Sequence, residues 1–139
     1  MDSTYLLSMS AHIAEVNADL EDLAAILTTR SLSRFETKAS ERLIQTLAEA
    51  CIGIAKHRCK QLGYPAPENA YMAFERLSVK DPDAIDLAQW RMVIGLRNAL
   101  VHDYLNIDTG VIENLIKQEK YRLMIDFAND GLGKLGEVS

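Results

Sequence analysis

A chain of 139 residues, 48% of them apolar, is long enough to bury one core and too apolar to stay disordered. Seven glycines and three prolines are few, which favours long helices over many tight turns. The formal charge of -5 argues against a generic basic coat for nucleic acid, so any RNA contact has to come from a local basic cluster or from charges pooled by a dimer.

Residues 4–30 read as a helix. Leu6, Met9, Ile13, Val16, Leu20, Leu23 and Leu27 recur at alternating steps of three and four, which is the seam of a bundle or coiled coil. Glu15, Asp19 and Asp22 lie off that seam and should face water. Ser33-Arg34-Phe35-Glu36 then fits a capping box that opens a second long helix, running to about Leu62. Ala39, Leu43, Leu47, Ala50, Cys51, Ile54 and Ala55 are its expected buried face. Its end is basic, Lys56-His57-Arg58-Cys59-Lys60, followed by Gly63; cations in a last turn complement the helix dipole, and RNA contact is the second reading of that cluster.

Gly63-Tyr64-Pro65-Ala66-Pro67-Glu68-Asn69 is a turn between helices, and a short helix over about 70–79 follows. Asp81-Pro82 looks like an N-cap with proline at the first helical position. The next helix is expected to run from there, with Ile85, Ala88, Met92, Leu96 and Ala99 as its apolar stripe. Asn106–Gly110 is a turn, Asp108 or Thr109 can cap a last helix over about 110–129, and the Gly-rich tail 130–139 is expected to fray. No segment has the period of a strand. The expectation is a single all-α domain over 1–139, an up-down helical bundle of four long helices plus one short helix.

Cys51 and Cys59 lie eight residues apart on one helix, a separation of about 12 Å, too far for a disulfide. They read as free, buried thiols of a reducing compartment. No spacing resembles a metal site, no apolar run reaches about 20 residues, and no signal-peptide pattern opens the chain. A cytoplasmic location and no membrane partner are therefore expected.

The stretch Arg97-Asn98-Ala99-Leu100-Val101-His102-Asp103-Tyr104 sets an arginine, an amide, a histidine and a tyrosine into an otherwise apolar helix. A guanidinium is a fixed cation with a planar fork suited to phosphate, and an imidazole trades protons near neutral pH. Together they suffice to cut a phosphodiester without a metal. On an ideal helix with Arg97 at zero, Asn98 lies near 100°, His102 near 140° and Tyr104 near 340°. Arg97 and His102 thus diverge by about 140°. Three arrangements could join them: local unwinding near 99–103, an arginine side chain that curls round, or two chains that share their motifs. Asn98, four residues before His102, either steadies the imidazole or makes a helix-end hydrogen bond. Trp90, seven residues before Arg97, reads as core or interface packing ahead of base stacking, and His12 and His57 as surface or helix-end side chains.

The string Leu96–Tyr104, followed by Asn106-Ile107-Asp108, resembles the HEPN superfamily and, more narrowly, the HepT-like toxins of bacterial toxin–antitoxin pairs. The family motif of Arg, polar residue, three positions, His, one position, Tyr is filled by Arg97, Asn98, His102 and Tyr104. Arg42, Gln45 and Glu49 before Cys51–His57, and Tyr71–Leu77, are similar to the family's second and short helices; Gly53 stands where an acidic residue is expected. The likeness covers most of residues 40–110.

The resemblance implies a homodimeric, metal-independent endoribonuclease toxin of a type VII-like system, with no cofactor. It implies Arg97 and His102 as catalytic residues at a dimer cleft and Asn98 as their support. It also implies a cognate MNT-type nucleotidyltransferase antitoxin that adds AMP to Tyr104. Lys56, Arg58 and Arg91 are candidate RNA contacts. The chemistry needs a 2′-hydroxyl, so RNA rather than DNA is expected, with tRNA and mRNA both open. The alternative is a non-enzymatic helical adaptor that binds a nucleotidyltransferase through the same surface, with Arg97 and Tyr104 as its anchors.

Overall fold

Short polar side chains start five of the six α-helices. In the computed structural model, which describes residues 1–137, these are α1 (Ser3–Leu27), α2 (Arg34–Gln61), α3 (Ala70–Lys80), α4 (Leu87–His102), α5 (Thr109–Lys117) and α6 (Arg122–Leu135). A single 3-10 turn, Tyr104–Asn106, joins α4 to α5, and no strand occurs among the described residues. Asp2, Ser33, Asn69, Asp86 and Asp108 each accept a backbone N–H from the first turn that follows. At α2 the capping box is complete: Glu36 N–H donates to Ser33 Oγ at 3.2 Å, and Ser33 N–H donates to the Glu36 carboxylate at 2.8 Å. Arg30 adds two hydrogen bonds to that carboxylate, at 2.7 and 2.9 Å. Chiefly through Arg30, and then through the Ser33 N–H, the Glu36 carboxyl is held down at about 2.

Helix α2 touches every other α-helix and is the axis of the bundle. The α1 seam packs as its spacing predicts: Ile13, Val16, Leu20, Leu23 and Leu27 are buried, and Glu15, Asp19 and Asp22 are exposed. On α2, Leu47, Ala50, Cys51, Ile54 and Ala55 are buried. Ala39 is exposed instead; Ser40 takes the inward position, its hydroxyl donating to the Glu36 carbonyl at 2.7 Å. Both cysteines are free and buried, and burial pushes both thiols up from their ordinary range.

Three expectations are corrected. Asp81 ends α3 rather than starting α4: its N–H donates to the Leu77 carbonyl, and its own carbonyl accepts from Ala84 and Ile85. That bend seats Ile85 in the core and leaves Asp86 to cap α4 from Leu87. The last helix is two helices. Glu119 adopts a left-handed φ of 54° and turns the chain between α5 and α6. Arg122 bridges Glu119 and Glu21 across that turn, at 3.2 and 3.3 Å. The bend lets Ile112 and Ile116 on α5, and Met124, Ile125 and Ala128 on α6, reach the same core. The tail does not fray over 130–135, because Gly131, Leu132 and Leu135 are buried in α6. Only residues 138–139 of that segment lie outside the described residues.

Gly131 is where α6 meets α2 most closely. A Cβ added there would stand 2.5 Å from Cγ2 of Ile54, a fully buried, β-branched side chain with little freedom to swing away. Gly131→Ala should therefore cost about 1–3 kcal/mol of folding stability in urea titration. An unchanged midpoint would show that the two helices are not in close contact.

Candidate functional site

The position of every motif residue follows from how α4 is rotated. Trp90 is fully buried, its ring stacked on Phe74 (centroids 4.2 Å apart, planes 11° apart) and set edge-on to Phe127 at 4.7 Å. This is core packing, and the ring is not available to a base. Leu100 is buried on the same helix, with Val93, Ile94 and Leu96 partly covered. Arg97, seven residues after Trp90, lies on the inward side of α4 and is half-buried.

The stripe expected to be core is turned outward. Ala88 is exposed, Met92 is 75% exposed, and Gly95 is exposed with open space around its Cα. Ala99 is half-buried and His102 is exposed. Helix α4 has two apolar faces, and the aromatic stack selects the other one for the core. Positions 88, 92, 95, 99 and 102 recur at steps of four and three, so the outward face is a small-residue seam that ends on the imidazole. An apolar groove of about 450 Å³, bordered by Met92, Leu96, Val111 and Leu115, runs beside it.

Helix α4 is continuous through His102, so local unwinding does not bring Arg97 and His102 together. The arginine does curl. Its Nε–H donates to Asn98 Oδ1 at 2.9 Å, which draws the guanidinium toward the side of the helix that His102 occupies. Asn98 thus positions Arg97, and neither of the two roles expected for it is the one observed. The helix stops at Asp103, whose N–H donates to the Ala99 carbonyl at 2.8 Å. Tyr104 begins the 3-10 turn and is 56% exposed, next to the still more exposed Leu105.

The candidate RNA contacts do not gather at the motif. Arg91 donates to the Tyr71 hydroxyl at 2.8 Å and lies over that ring, 4.9 Å from its centroid. Arg58 is hydrogen-bonded to Gln61 and lies near Trp90, toward the other end of α4. Lys56 is exposed on α2. His57 packs edge-on against Tyr5 at 4.8 Å. The Tyr71–Arg91 pair was not foreseen, because nothing in a sequence marks two side chains twenty residues apart as partners. Among the described residues no group of three His, Cys, Asp or Glu side chains is placed to hold a metal, and no helix is long and apolar enough to cross a membrane.

No curated protein matches the chain. Residues 13–130 match the family described as ribonuclease HepT-like, and the match takes in α2, α3, α4 and α5 complete, together with most of α1 and α6. The helical architecture agrees with a HEPN-like bundle. A match over most of the chain, with the Arg97–Tyr104 motif inside it, establishes that the chain belongs to the HepT-like ribonuclease family.

Proposed function

We propose that this protein is a metal-independent endoribonuclease toxin that acts in the cytoplasm as a homodimer, with Arg97 and His102 as its catalytic residues. The observation that carries the reading is the end of α4, where Asn98 turns a guanidinium toward the face that holds an exposed imidazole. The RNA 2′-hydroxyl attacks the adjacent phosphorus, a 2′-O–P bond forms, and the bond to the 5′-oxygen breaks. An imidazole takes the 2′-hydroxyl proton, and a proton is returned to the departing 5′-oxygen. Arg97 stabilises the charge that grows on the phosphoryl oxygens. The products are a 2′,3′-cyclic phosphate and a 5′-hydroxyl.

Two features of the fold support a dimer. The seam Ala88, Met92, Gly95, Ala99, His102 is apolar and unpartnered in a single chain, and its small side chains let a second helix approach closely. Pairing along it brings two copies of His102 to one cleft, which supplies both a base and an acid. It also pools local cations in a chain whose net charge of -5 does not favour RNA.

Tyr104 carries the regulatory part of the proposal. Its ring is 56% exposed in the turn just past His102, open to a modifying enzyme. A cognate MNT-type nucleotidyltransferase antitoxin adds AMP to its hydroxyl, and the added phosphate competes with RNA for Arg97. Co-expression with such a transferase should give a mass increase in multiples of AMP, localised to Tyr104 by peptide mass spectrometry. Modification at another residue, or none in an inactive complex, would favour the adaptor reading.

Arg97→Ala and His102→Ala should each lower RNA cleavage by about a hundredfold or more, with EDTA without effect on the wild type. Asn98→Ala should lower kcat by about tenfold to a hundredfold, and Asn98→Asp should restore most of it, because a carboxylate oxygen also accepts the Arg97 Nε–H. Wild-type cleavage by folded Arg97→Ala or His102→Ala protein would refute the assignment.

A further inference from the structure

The first turn of α4 carries a feature that the end of the helix does not use. Trp90 Nε1 is fully buried and has no hydrogen-bond acceptor within the chain. A buried N–H is normally paired, so this one calls for a partner. The same indole lines a cavity of about 260 Å³ between the last turns of α2 and α3, the bend before α4, and α6. Leu77, Ile85 and Phe127 give the cavity an apolar wall. Its polar lining includes Lys80, Asp81 and Asp126, none of which enters an ion pair among the described residues. Lys134, also in the lining, is taken by Asp130 at 3.0 Å.

The cavity is separate from the motif. Trp90 and His102 are twelve residues apart on one straight helix, about 18 Å along its axis. Its volume is just below the usual range for drug-sized ligands, so it suits one fused ring system or smaller. The lining also limits the chemistry. A purely apolar occupant would leave the indole N–H unpaired, and a purely anionic one would meet the Asp81 and Asp126 carboxylates.

We propose that this cavity is a second binding site, for a small planar heteroaromatic compound that offers an acceptor to the Trp90 indole N–H and an amino donor to Asp81 or Asp126. The ring body rests against Phe127, Leu77 and Ile85. The site binds its ligand whether or not the chain cleaves RNA.

Trp90 is the only tryptophan in the chain, so its indole N–H gives a single amide-type cross-peak to follow. Adenine is the probe, titrated to millimolar concentration into the full-length protein, with purine (no amino group) and benzene (no polar atoms) as comparisons. Adenine should shift the indole peak saturably. Asp126→Asn should weaken adenine by about fivefold and leave purine unchanged, as expected when a charged acceptor is replaced by a neutral one. Ala84→Phe, a change at an exposed residue of the cavity mouth, should abolish binding of both. RNA cleavage by the two variants should match wild type, which separates this site from the reaction at Arg97 and His102. No saturable shift with adenine, or an equal shift with benzene, would overturn the proposal.

Discussion

The stacking of Trp90 on Phe74, with Phe127 against its edge, is the constraint on which the functional geometry depends. Each such aromatic pair adds about 0.5–1.5 kcal/mol beyond the area it buries, so the cluster strongly prefers one rotation of α4. That rotation carries Arg97 to the inward side two turns later and sends Ala88, Met92, Gly95, Ala99 and His102 outward. The cap at Asp86 fixes the phase from the other direction, since a helix begun at Pro82 would have no reason to bend Ile85 into the core. A catalytic imidazole on the open face and a guanidinium drawn toward it by Asn98 are consequences of how three aromatic rings pack at the far end of the helix.

Much of this was legible in the chain itself. The steps of three and four in residues 6–27, the Ser33–Glu36 box and the single Pro-rich turn each have a local cause, and α1, α2 and α3 follow from them closely. Helix α4 is harder because it carries two apolar faces. Periodicity finds the stripe through Ala88, Met92, Leu96 and Ala99, but it cannot rank that stripe against the one through Trp90, Val93 and Leu100. Only the partners Phe74 and Phe127, brought in from other helices, decide between them. The break between α5 and α6 leaves no signal either: a left-handed residue is usually glycine or asparagine, and here it is Glu119. Gly131 misleads in the opposite sense, since it marks close packing on Ile54 and not a loose tail.

The chemistry was more legible than the geometry. Arg97, Asn98, His102 and Tyr104 are spaced as the family motif requires, and the family match includes them. The spacing does not reveal how they are used. An i, i+4 relation pointed Asn98 at His102, whereas the shorter reach to its own neighbour wins and the amide holds Arg97 instead. The expected basic contacts also resolve differently: Arg91 is committed to Tyr71, and Arg58 lies toward the other end of α4, so substrate charge has to be met mainly by Arg97 and by what a second chain brings.

The central claim is that the outward seam of α4 is where two chains meet and where the reaction takes place. Gly95 is at the middle of that seam, with open space around it, and the two native cysteines are buried. Oxidation of Gly95→Cys protein should therefore yield a covalent dimer through a single new disulfide, and the wild type should yield none. The account predicts rapid cross-linking at micromolar concentration, and RNA cleavage that survives once the disulfide is reduced. A Gly95→Cys protein that stays monomeric under oxidation while cleaving RNA at the wild-type rate would contradict it.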